Sequence, residues 1–186
     1  MVTGCHCRPA GWLPSVPGMT DVPPCTCRLH GSGRDDAGFD DNDRDLVSDV
    51  EERGWSVCII GDAPDQPAWA FSVGMWHTLR TPDLAMFGLR PLDMGKWINL
   101  AGEQIRLGRR FGLDKPQDGI LNGFPVELRL ADGSWYGDLF GYGLWFYQGW
   151  FPLAQIIWPD RQGLFPWEPG CGERCRNQPA LWTPQP

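Results

Sequence analysis

Between Asp43 and Arg53 the apolar residues Leu46, Val47 and Val50 recur at three- and four-residue spacing among charged positions. That spacing predicts a short amphipathic helix. Asp43 and Asp45 suit its positive end, Arg53 its negative end, and Gly54 a left-handed stop. Residues 55–60 and 68–73 are short apolar runs on either side of a turn at 61–64, which predicts a hairpin. A third strand is predicted over 83–89. Pro91 suits a first helical turn, and Leu92, Trp97, Leu100, Ile105 and Leu107 predict a helix over 92–108. From Val126 the run 124–130 alternates, the pattern of a half-buried strand, with Pro125 placing it near an edge. Trp135, Leu139, Tyr142 and Phe146 stand at helical spacing and predict a helix over 134–147, capped by Ser134. Residues 151–158 predict a strand, 159–163 a turn and 164–167 a short returning strand.

The resulting order, α-β-β-β-α-β-α-β-β, predicts an α+β fold: a mostly antiparallel sheet packed with two or three helices, in a single domain. Residues 1–38 form a Cys-, Gly- and Pro-rich tail, 39–180 the domain, and 181–186 a second tail. Composition fits this division. Gly and Pro number 24 and 18, whereas nine of the 11 Trp lie between Trp55 and Trp167. Such aromatic surface belongs to a folded core. Met19 is a second candidate start, and the first 18 residues carry no apolar core of a secretory signal.

Charge narrows the partners. Residues 35–52 hold nine acids and one Arg, so that segment is −8 and the rest of the chain is +1, giving the net −7. The only basic cluster, Arg106, Arg109 and Arg110, is small, which disfavours nucleic acid. No stretch approaches the ~18 apolar residues that span a membrane. An odd total of seven Cys points to reduced thiols and a cytoplasmic setting. The expected partner is a small molecule or a protein; the acidic segment would suit a basic one.

Several strings line up with a known pattern: residues 52–57 (ERGWSV), 70–78 (AFSVGMWHT), 82–89 (PDLAMFGL), 141–147 (GYGLWFY) and 155–170 (QIIWPDRQGLFPWEPG). In chain order, over roughly residues 40–180, they resemble the bacterial domain of unknown function 4262 family. The resemblance implies a single bacterial domain and brings no reaction or cofactor. Its members often begin with a Cys-containing segment, which Cys25-Thr-Cys27 resembles, with Cys5 and Cys7 as an extra.

Two chemistries compete. His77 is the only histidine inside the predicted domain, beside Trp76 and Thr78. A strand-end imidazole suits general acid–base work. Glu168, between Trp167 and Pro169, could be a desolvated carboxylate. If the two share a cleft they form an acid–base pair, with Trp76, Thr78, Tyr142 and Trp167 as ligand-binding neighbours. The alternative for His77 is a loop-holding hydrogen bond, and core packing is the simpler role for most of the Trp. The resulting function is a small-ligand-binding or enzymatic domain around His77. The competing function is a non-enzymatic interaction module with a zinc-binding tail: Cys5, Cys7, Cys25 and Cys27 supply four thiolates, enough for structural tetrahedral zinc, although one-residue gaps depart from the usual spacing. Asp41, Asp43, Asp45, Asp49 and Glu52 mimic a calcium loop, but Leu46 stands where that loop needs Gly.

Overall fold

The computed structural model describes residues 25–30, 38–64 and 66–186. Its centre is one six-stranded sheet in the order β1-β2-β3-β6-β5-β4. The strands are β1 (Ser56–Ile60), β2 (Trp69–Val73), β3 (Asp83–Phe87), β4 (Pro116–Leu121), β5 (Phe124–Leu130) and β6 (Leu153–Ile157). Every neighbouring pair is antiparallel except β3 and β6, which run parallel with Asp83 opposite Leu153. The expected α+β class and mostly antiparallel sheet are therefore present.

Both faces of the sheet are covered. α1 (Asp41–Arg53) lies on one face, with the short helices α4 (Tyr136–Leu139) and α5 (Gly141–Tyr147). Leu46, Val47, Phe71, Phe87, Phe146 and Phe151 form the core there. α3 (Pro91–Arg106) covers the other, where Met94, Ile98 and Ala101 meet Leu84, Met86 and Ile156. Alternate strand residues feed the two cores, as the period-two pleat requires. β2, β3 and β6 are consequently buried at every position.

α1 starts two residues before the predicted Asp43, because Asp40 caps it: its carboxylate accepts from Asp43 N, and Asp43 returns the bond to Asp40 N. That reciprocal pair satisfies two N–H groups the helix itself leaves unpaired. The structure departs from the sequence reading at several points. The predicted helix 134–147 is interrupted at Phe140 (φ −127°, ψ 38°), whose fully buried side chain meets Phe71 and Tyr136 edge-on. Residues 164–167 form no strand; Asp160 folds them into a turn by accepting from Gln162 N and Leu164 N. β4 was not expected from its pattern. The loop at His77 also contains one helical turn, α2 (Met75–Thr78). Leu181, assigned by sequence to a tail, is fully buried, and its N–H donates to Gln155 Oε1. Among the described residues no helix is long and apolar enough to cross a membrane.

Candidate functional site

α2 is set by what surrounds its first turn. Gly74 precedes it at φ +116°, and a Cβ there would stand 2.8 Å from Val50 Cγ2, so α1 packs directly on glycine backbone. The first N–H groups of α2 meet a buried carboxylate: Asp83 accepts from Met75 N at 3.0 Å and Trp76 N at 3.5 Å. It also accepts from Ser72 Oγ at 2.7 Å and Tyr147 Oη at 2.5 Å. Tyr147 Oη in turn accepts from Gly74 N at 2.9 Å. A negative group at the start of a helical turn is favourable, but full burial opposes its charge. Burial pushes the Asp83 carboxyl up to about 6, and the four hydrogen bonds counter only part of that. Burial also raises the Tyr147 phenol well above its ordinary range, with the Asp83 charge as the next cause.

α2 presents His77 toward the N-terminal segment. Residues 25–27 are neither helix nor strand, and Arg28–His30 form a single 3-10 turn closed by His30 N donating to Cys27 O at 3.0 Å. The segment docks on α5: Thr26 Oγ1 donates to Tyr147 O at 2.8 Å and Arg28 Nε to Trp145 O at 2.9 Å. The Arg28 guanidinium lies 4.5 Å over the Trp145 ring, a cation–π contact. This docking buries Cys25 and Cys27.

Four donor atoms converge as a result. Cys25 Sγ, Cys27 Sγ and a ring nitrogen each of His30 and His77 all lie within 4.8 Å of one another. Cys27 Sγ is 3.1 Å from His77 Nδ1 and 3.2 Å from His30 Nδ1; Cys25 Sγ is 3.9 Å from His77 Nδ1. The thiols titrate as a pair. The Cys27 hydrogen bond, aided by His77, draws Cys25 well below the ordinary thiol range. The same bond and burial hold Cys27 above it. The pair thus favours a single thiolate, on Cys25, the form in which sulfur binds metal.

The remaining predicted residues go elsewhere. Glu168 Oε2 accepts from Phe165 N at 2.7 Å, so it closes its own turn. Trp167 stacks on Phe165 at 5.1 Å and lies 3.9 Å from the Arg129 guanidinium carbon. Trp76 is buried, with Arg80 over its ring. Thr78 Oγ1 donates to Gly54 O. Tyr142 lines a cavity of about 300 Å³ with Asp45 and Cys58. Burial, with the Asp83 and Asp49 charges, pushes the half-buried Cys58 thiol up to about 12. Cys5 and Cys7 lie outside the described residues. Of the four predicted metal ligands, Cys25 and Cys27 meet, and their neighbours are imidazoles. Sequence reasoning missed His30, although Cys27-x-x-His30 is the spacing of one helical turn.

Residues 49–172 match the family described as domain of unknown function (DUF4262). The chain belongs to this family. No curated protein and no solved structure matches the chain. Of the four clustered donors, His77 stands inside the DUF4262 match, and Cys25, Cys27 and His30 precede it. The DUF4262 region therefore supplies the sheet, α2 and one imidazole, and the preceding segment supplies the other three donors.

Proposed function

We propose that this DUF4262 protein is a zinc-binding module in which Cys25, Cys27, His30 and His77 hold one structural ion that fastens the N-terminal segment to the domain. The observation that carries this reading is the mutual approach of the four donors within 4.8 Å. Zinc bonds of about 2.3 Å to sulfur and about 2.0–2.1 Å to nitrogen set tetrahedral donor–donor edges of about 3.3–3.8 Å. The thiol–imidazole separations of 3.1, 3.2 and 3.9 Å bracket that range. Two sulfurs and two nitrogens are a borderline-soft set, suited to zinc over the oxygen-seeking magnesium and calcium. Four protein donors close the coordination shell, as in structural sites, and leave no position for a substrate. The metal reading is preferred to acid–base catalysis because His77 Nδ1 faces two thiols and Glu168 is engaged by Phe165 N.

Metal analysis of the purified full-length chain tests it. One zinc per chain is expected. A Cys5→Ser/Cys7→Ser variant should keep the ion, and Cys25→Ser/Cys27→Ser should lose it. Zinc absent from the full-length protein, or retained by the second variant, refutes the reading.

A further inference from the structure

A second site lies at one end of the sheet, apart from the Cys/His cluster. β3 and β6 are the single parallel pair, and the sheet's two antiparallel halves meet at them. In open α/β sheets, ligand clefts form beyond the carboxyl ends of parallel strands where the strand order switches, and β3 and β6 are the one parallel pair that offers such ends here. The residues just beyond those ends, Leu89 after β3 and Trp158 after β6, line a cavity of about 660 Å³. Trp97 of α3 and the β4–β5 hairpin residues Leu121 and Phe124 complete its apolar wall. The volume is that of a small-molecule site, apolar with few polar groups.

The wall is fixed in place. Trp158 Nε1 donates to Phe87 O at 2.7 Å, and its backbone N and O bind the buried Gln178 amide. At the mouth stand Arg161 and Arg174. Arg174 Nε donates to Gly88 O at 3.1 Å, which holds its guanidinium against the strand end. Arg161 is exposed and makes no ion pair or hydrogen bond with a described residue. Two acids share the rim. Asp160 is occupied by the N–H groups of Gln162, Leu164 and Gly172, and Glu173 is exposed to solvent. An apolar slot with indole and phenyl walls and two guanidinium groups at its mouth suits a flat ring system bearing one carboxylate.

We propose that this cavity binds a small planar aromatic carboxylate, its ring among Trp97, Phe124 and Trp158 and its carboxylate at Arg161 and Arg174. Titration calorimetry with 2-naphthoate and with its uncharged analogue 2-naphthalenemethanol tests it. Naphthoate should bind, and the alcohol should bind about fivefold or more weakly, the scale of one exposed charged contact. Arg161→Gln should shrink that preference to within about twofold while leaving alcohol binding unchanged. Leu121→Trp should fill the slot and abolish binding of both. His30→Ala, which alters the Cys/His cluster alone, should leave naphthoate binding intact. Absent naphthoate binding, equal affinity for the alcohol, a preference untouched by Arg161→Gln, binding that survives Leu121→Trp, or binding lost in His30→Ala would each overturn the proposal.

Discussion

Asp83→Asn isolates the energetic consequence of placing a carboxyl under α2. The native group is fully buried with a pKa of about 6, against an ordinary value of 3.8. A raised acid pKa means that the folded state binds its proton more tightly than the unfolded chain does. The associated stability is therefore fully present below pH 3.8 and is lost as pH rises through 6. The separation between those values corresponds to about 3 kcal/mol at most, of which about 2 kcal/mol falls between pH 7.5 and pH 4. Asparagine does not titrate, so the variant lacks this component. Urea unfolding of both proteins across that pH range measures it. Native stability relative to Asp83→Asn should rise by about 2 kcal/mol as the pH falls from 7.5 to 4. Comparing the two at each pH cancels the titration of the thiols and imidazoles that both share. A difference independent of pH would mean that the four hydrogen bonds balance desolvation, and one with the opposite slope that they outweigh it; either would refute the argument.

If zinc is bound as proposed, removing it with a chelator should lower the unfolding midpoint and speed exchange of the His30 amide, which donates to Cys27 O; the stability lost would be about 4 kcal/mol where free zinc stands a thousandfold above its Kd. Tyr147→Phe removes a buried hydroxyl that donates to Asp83 and accepts from Gly74 N; chemical denaturation should show a loss of about 1.5–3 kcal/mol. Gly143→Ala places a methyl group against the buried Phe151 ring, and the same assay should register about 1–3 kcal/mol of overpacking.

The helix and strand patterns announced most of the sheet because β2, β3 and β6 are apolar runs buried on both faces, each broken by a single polar residue, Ser72, Asp83 and Gln155. β4 escaped notice because it is an edge strand whose sequence, PQDGIL, is mostly solvent-facing and paired irregularly with β5. Residues 164–167 looked like a strand, but their leading N–H groups are taken by Asp160 and Glu168 side chains rather than a neighbouring strand. At the site, Cys25 and Cys27 announced themselves as a pair. Their meeting with His77, fifty positions further along from Cys27, was not legible. It depends on Gly74 admitting Val50 and on Asp83 holding the start of α2. Each is a tertiary contact with no local pattern.

Tyr147 links these levels. Its carbonyl accepts from Thr26, which seats the Cys-bearing segment, and its hydroxyl donates to Asp83, which holds the helical turn bearing His77. Both halves of the donor cluster are thus referenced to one residue of α5, and Arg28 adds a second tie through Trp145 O. Were an ion to bind there as proposed, these contacts would already have met much of the cost of ordering the donors, which is how preorganisation raises affinity. The reverse also holds. An ion bound by three donors of the segment and one of α2 would strengthen the same contacts, so metal occupancy and the packing of α1, α2 and α5 should rise and fall together. β3, which carries Asp83 between Ser72 and the parallel partner β6, is the element through which such coupling would reach the domain interior.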